Sequence, residues 1–186
     1  MMSAEDCILD LAIATVELYT RERRVPVFLK DEDFEKYDIK REDYEELKKL
    51  KAGCFVTLHN PELRGCIGTI EPVQDNLAEE IIQNALSACS RDPRFPLVQE
   101  EELDTLDYSV DVLGEPERVE SLLDLNVERY GIIVSKGTRR GLLLPDLEGV
   151  DTVEKQLSIA LRKANISPSE IYEVERFEVV RYEEGI

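Results

Sequence analysis

With 186 residues, 42% of them hydrophobic, the chain can build one ordinary domain or two small lobes sharing an interface. Its 41 Asp and Glu against 23 Lys and Arg give a formal charge of −18, which repels phosphate backbones and acidic membrane surfaces, so neither nucleic acid nor membrane is expected as a partner. No stretch approaches the roughly 20 apolar residues that span a bilayer, and Glu5 and Asp6 stand where a secretory leader would carry Lys or Arg. The four cysteines, Cys7, Cys54, Cys66 and Cys89, form no Cys-x-x-Cys pair, so a reducing, cytoplasmic location is expected.

In chain order, residues 3–19 read as an amphipathic helix, with Ser3 and Asp6 as its cap and Ile8, Leu11, Ala12, Thr15 and Tyr19 on one stripe. Val25-Pro26-Val27-Phe28-Leu29 is a short extended piece. Residues 31–51 are highly charged, punctuated by Phe34, Tyr37, Tyr44, Leu47 and Leu50, and fit one or two short surface helices. The run Cys54-Phe55-Val56-Thr57-Leu58, the turn residues Asn60 and Pro61, and the stretch from Leu63 through Ile70 then predict a β-hairpin.

After the hairpin, Asn76 with Glu79 is a capping box for a helix to about residue 90, with Leu77, Ile81, Ala85, Ala88 and Cys89 as its buried stripe. Asp92-Pro93 ends that helix, and Pro96 holds Arg94 and Phe95 on a constrained loop. That loop is either a well-made helix exit, with Asp92 binding backbone amides and Phe95 plugging the core, or a functional loop on a rigid scaffold. Residues 106–113 alternate as a strand that Gly114-Glu115-Pro116 ends. A similar order follows: a hairpin of residues 130–135 and 141–145 around Gly137, a helix capped by Asp151 with Glu154 and running to about residue 164, and a long strand over 172–182. Antiparallel hairpins with helices between them predict an α+β fold, antiparallel sheets flanked by helices.

The hexapeptide Leu63-Arg64-Gly65-Cys66-Ile67-Gly68 is where chemistry is expected. Glycine inside a strand gives up packing and costs backbone entropy, so Gly65 and Gly68 call for a bulge or a close surface. A type I turn over Asn60-Pro61-Glu62-Leu63 places Cys54, Val56, Leu58, Gly65 and Ile67 on a core face. Phe55, Thr57, His59, Arg64, Cys66 and Gly68 then share the other face. A three-residue loop would reverse the pairing and set Arg64 against Leu58. Cys54 therefore points away from His59 and Cys66, so these do not make a zinc site, and neither a metal cluster nor a phosphate loop is expected.

This hexapeptide resembles the signature of the AMMECR domain family, Asp92-Pro93-Arg94-Phe95 resembles the family's second marker, and the stretch from Gly141 to Pro145 resembles its glycine-to-proline strand. The chain is similar to the AmmeMemoRadiSam system protein A type, and the resemblance covers most of it. It implies a single domain over 1–186 with two unequal lobes and a cleft between them lined by the hexapeptide. On this sequence the smaller lobe would be 30–115, inserted in a larger one of 1–29 plus 116–186. It also implies partners, a Memo-like protein and a radical S-adenosylmethionine protein, and leaves the reaction open.

Two functions from different classes follow. In one the protein is a binding module of unassigned chemistry whose surface uses Thr57, Leu63, Gly65, Ile67, Gly68, Asp92, Arg94 and Phe95 to hold a protein or small-molecule ligand. In the other it is a thiol-dependent enzyme, with Cys66 as nucleophile or redox group and Arg64 stabilising the thiolate or clamping an anion. The single histidine, His59, in a turn-proximal position, argues against a Cys-His-Asp set, and the first function is favoured.

Overall fold

The computed structural model describes residues 4–27 and 29–184, so the cap expected at Ser3 and Phe28 of the extended piece lie outside the described residues. The chain is α+β, and the strand pairs within each of its two units are antiparallel. It divides into two compact units: residues up to Val112 together with those from Arg181 onward, and Leu113–Val180.

In the first unit, α1 (Ala4–Glu22) runs three residues beyond the helix predicted to end at Tyr19. It is followed by the short helices α2 (Asp31–Lys36) and α3 (Arg41–Leu47), then β1 (Cys54–Asn60), β2 (Glu62–Gly68), α4 (Leu77–Ser90) and β3 (Asp107–Leu113). β1 pairs with β2 on one side and β3 on the other, which makes β2 an edge strand. The predicted stripe of α4 is buried at Leu77, Ile81, Ala85, Ala88 and Cys89, and it packs with Val56, Leu58, Leu11 and Leu47 in one core. The side chain of Asn76 caps α4 by accepting the Glu79 N–H at 3.0 Å, which is the Asn76 half of the expected capping box.

Because α1 packs on α4 and α3, it belongs with the hairpin, and its residues do not join 116–186 in a lobe of their own. Amphipathic periodicity shows that a helix buries a stripe but not which sheet receives it; the units divide after Val112, near the expected 115, and after Val180, with no division at residue 30.

The second unit holds β4 (Glu117–Arg118), β5 (Tyr130–Lys136), β6 (Arg139–Leu143), α5 (Val153–Ala164) and β7 (Glu173–Glu183) through Val180. β7 lies between β4 and β5, and β5 pairs onward with β6. Thr152, not Asp151, caps α5, its hydroxyl accepting the Lys155 N–H at 3.2 Å. Gly137 turns the hairpin with φ +60°.

The two units repeat one contact. A Cβ on Gly65 of β2 would sit 2.3 Å from the carbonyl oxygen of Ala88 in α4, and a Cβ on Gly141 of β6 would sit 2.3 Å from that of Ala160 in α5. In each case the glycine lets the helix backbone lie directly on the hairpin.

Candidate functional site

The body of the hairpin has the predicted register: Phe55 faces Gly68, Val56 faces Ile67, Thr57 faces Cys66 and Leu58 faces Gly65. The Thr69 N–H donates to the Cys54 carbonyl at 3.0 Å, so by alternation Thr57 and Cys66 form a non-hydrogen-bonded pair, in which side chains approach more closely. Accordingly Thr57 Oγ1 donates to Cys66 Sγ at 3.2 Å. Cys54, Val56 and Leu58 are fully buried on the other face, Gly65 is buried, and Ile67 is half-buried against the same core.

At the tip the register slips by one. A bulge between Leu58 and His59 sets His59 against Leu63 and Asn60 against Glu62, leaving Arg64 as the extra residue. The four-residue turn is thus corrected near its end, and Leu63 is exposed there. Arg64 leaves the row of Cys66. Its side chain is 13% exposed, donates to Glu102 through Nε at 2.7 Å and Nη2 at 3.0 Å, and its charge is felt by the core thiol of Cys89. Arg64 holds the Glu102 carboxyl below its ordinary pKa against the opposing effect of burial, with the Gln99 N–H assisting.

The cation beside Cys66 is Arg94. As an outer residue of a non-hydrogen-bonded pair on an edge strand, Cys66 turns its N–H and C=O away from β1. Asp92 Oδ2 accepts that N–H at 3.0 Å, and Arg94 Nη2 donates to that C=O at 3.2 Å. Asp92 also accepts the Arg94 N–H at 3.1 Å and binds the Arg94 guanidinium at 3.0 and 2.7 Å. One carboxylate and one guanidinium thereby take the place of a neighbouring strand. The Asp92 side chain is 0% exposed and Arg94 54%. The Arg94 guanidinium is the main cause holding Asp92 far below the usual carboxylate range; burial opposes it, and the N–H groups of Cys66 and Arg94 add to it. The prediction that Asp92 binds amides holds, whereas Phe95 is half-buried with Arg94 stacked 5.3 Å over its ring and is not the expected core plug.

The open face of the first unit's sheet follows from the pairing. Ser109 of β3, Thr57 and Cys66 form one row across three strands, and Asp111, Phe55 and Gly68 the next. The Phe55 ring covers Gly68, where a Cβ would sit 2.3 Å from it. Asp111, buried, is held by Arg181 at 2.7 and 3.0 Å. His59 is half-buried opposite Asp107.

Sequence reasoning missed Glu102, Ser109, Glu80 and Asn84. The fully buried Glu80 accepts Thr69 Oγ1 at 2.6 Å and the N–H groups of Val73 and Gln74 at 2.8 and 2.7 Å. Asn84 Nδ2 donates to the Cys54 carbonyl at 3.0 Å and Thr69 Oγ1 at 3.1 Å. Together they fasten the chain leaving the hexapeptide to α4. The signal was present: a glutamate and an asparagine four apart on the apolar stripe of a helix need partners.

Burial is the main cause that pushes the thiols of Cys7 and Cys54 up to about 12 and that of Cys89 up to about 11. Cys66 alone of the four is half-exposed. Cys54 lies on the core face bonded to Asn84, so it does not converge with His59 and Cys66 on a metal.

These features define an α+β protein whose glycine-bearing edge strand is clamped at a half-exposed thiol by an Asp–Arg pair. A model of the family described as AMMECR1 matches residues 9–186, and the chain belongs to that family. A Thermotoga maritima protein is 55% identical over 141 residues, covering 74% of this chain and 81% of its own length. A Clostridium acetobutylicum protein is 55% identical over 142 residues, 76% of this chain, but the match spans only 30% of that longer protein. The crystal structure of an uncharacterized Pyrococcus horikoshii protein superposes with a TM-score of 0.81 at 31% identity, covering 97% of this chain and 91% of that one. No helix among the described residues is long and apolar enough to cross a membrane.

Proposed function

We propose that the chain is a partner-binding member of the AMMECR1 family, acting with a Memo-like protein and a radical S-adenosylmethionine protein through the open face of the hexapeptide hairpin. The observation that carries this reading is the clamp on Cys66. With its backbone N–H and C=O both held by the Asp92–Arg94 pair, the strand is fixed before any ligand arrives, and association then costs less ordering of the surface. Thr57, Cys66, Ser109 and the Phe55 ring present a polar, half-exposed patch with one aromatic anchor, a composition that suits recognition of a protein surface or a small ligand.

Anaerobic co-expression of the three proteins tests this. A stable complex that Asp92→Ala or Phe55→Ala disrupts, while Cys66→Ser leaves it intact, is the expected result. Absence of any complex, together with loss of cellular function in Cys66→Ser alone, would replace this reading with the thiol-dependent one.

A further inference from the structure

The bulge that withdraws Arg64 changes what stands near Cys66. In a regular ladder Arg64 would lie opposite His59; the bulge sets Leu63 there instead, and the Arg64 guanidinium goes to Glu102. Along β1, Phe55, Thr57 and His59 alternate with the fully buried Val56 and Leu58, and along β3, Asp107 and Ser109 alternate with the buried Tyr108 and Val110. The chain's single histidine therefore shares the open face with the Cys66 thiol and the Asp107 carboxylate. His59 faces Asp107 directly across the β1–β3 ladder, and Cys66, opposite Thr57, is its diagonal neighbour on β2. Direct cross-strand partners stand roughly 4.5–5.5 Å apart at Cβ and diagonal ones roughly 7–8 Å, within reach of an imidazole. Three strands thus line up a carboxylate, an imidazole and a thiol in the order in which an orienting group, a base and a nucleophile act. Spacing along the chain hides this set, because only strand pairing brings its members together.

The surroundings suit these roles. Cys66 and His59 are half-exposed, and Asp107 is exposed and in no ion pair among the described residues. Thr57 Oγ1 donates to Cys66 Sγ at 3.2 Å, a bond that favours the thiolate. Thr57, and not His59, holds the sulfur in the free chain, as catalytic hydrogen bonds commonly close only around substrate. The Cys66 N–H is bound by Asp92, so it does not serve as an oxyanion donor, and the chemistry is restricted to acyl groups with good leaving groups.

We propose that Cys66 and His59 form an acyl-transfer site for a thioester or ester, with Asp107 as a positioning residue. His59 takes the thiol proton as the sulfur attacks the acyl carbon, the S–C bond forms and the carbonyl electron pair moves to oxygen. Return of that pair expels the thiolate or alkoxide, which receives the proton from the imidazolium. The products are the S-acyl chain and a free thiol or alcohol. The charged groups around the pair are Asp107 of β3, Glu62 at the hairpin tip, and the ion pairs Asp92–Arg94 and Asp111–Arg181 beside the row of Cys66. This goes beyond the partner-binding function, since the site can act with no partner present and a complex can form with the thiol removed.

The probe is phenyl thioacetate, incubated with the full chain alone from pH 5 to pH 9, with acetyl groups located by mass spectrometry of timed samples. Expected is one acetyl group, on Cys66, at a rate that levels off below the ordinary thiol range of about 8.5. His59→Gln should slow it by at least about 100-fold at neutral pH and move the rise up into that range. Asp107→Asn should move the wild-type rise to lower pH, because an adjacent carboxylate favours the imidazolium. A wild-type rate that rises only through the ordinary thiol range overturns the proposal with no variant required. So does acetylation of Cys66 at the same rate in His59→Gln, or acetyl groups on lysines with none on Cys66. An unchanged profile in Asp107→Asn overturns the role of Asp107.

Discussion

The carboxylate of Asp92 accepts the backbone N–H of Cys66 at 3.0 Å from a position 26 residues further along the chain, beyond the end of α4. It joins the helix exit to the hexapeptide strand, and Arg94 closes the second bond at the Cys66 carbonyl. Residues that read separately in the sequence form one unit.

Removing that carboxylate should therefore destabilise the fold. Asp92→Ala strands two N–H groups and the Arg94 guanidinium, and a loss of about 3 kcal/mol is expected, since breaking a buried hydrogen-bonded charge pair from one side leaves unpaired groups behind. Arg94→Ala should cost less, because Arg94 is half in water and Asp92 keeps its two backbone donors. Urea denaturation of the two variants orders them.

Acid sensitivity follows from the same carboxylates. Asp92, Asp33 and Glu102 are held below their ordinary values chiefly by Arg94, Arg24 and Arg64 respectively. Each then binds fewer protons folded than unfolded, so its stabilisation is fully present above the unfolded values of about 4 and is lost as pH falls toward the folded ones. The urea midpoint should be nearly level above about pH 5 and drop steeply below about pH 4, with a shallower drop in Asp92→Ala.

Thiol chemistry should separate Cys66 from the rest. Under native conditions iodoacetamide should modify Cys66 first, with Cys7, Cys54 and Cys89 unreacted, because those three are buried and their thiols are pushed up. Arg94→Ala should leave the rate unchanged, since the Arg94 guanidinium is bound to Asp92. Arg64→Ala should leave it unchanged, since the Arg64 guanidinium is bound to Glu102. Mass spectrometry of timed samples reads all three rates, and slowing by either variant would show a guanidinium acting on the thiol despite its carboxylate partner.

Glycine substitutions should separate close approach from backbone conformation. Gly65→Ala and Gly141→Ala each drive a methyl group onto a helix carbonyl at 2.3 Å and should cost at least about 2 kcal/mol, as overpacking against backbone does. Gly137→Ala meets no atom within 4 Å and bears only its φ of +60°, so about 1 kcal/mol is expected. Thermal unfolding of the three variants gives the order.

The network on α4 gives a local readout. Glu80→Ala leaves the N–H groups of Val73 and Gln74 without their acceptor, so their hydrogen exchange should accelerate while that of the β1–β3 ladder stays slow.

The sequence by itself determined what short-range physics encodes. Period-two alternation and the proline turn placed Thr57 opposite Cys66, the Asn76 cap started α4, and a proline after Asp92 freed that carboxylate to bind amides. Arg64 shows the limit. One extra residue at the hairpin tip removes it from the row of Cys66, and a bulge of this kind depends on how the strands pair and twist as well as on local propensity. Its partner Glu102 lies 38 residues away, and the placement of α1 against α4 depends on which apolar stripes meet. Only the tertiary structure decided these, because ion-pair partners and helix packing are selected by the closing of the core, where buried charge must find an opposite charge wherever the chain brings one.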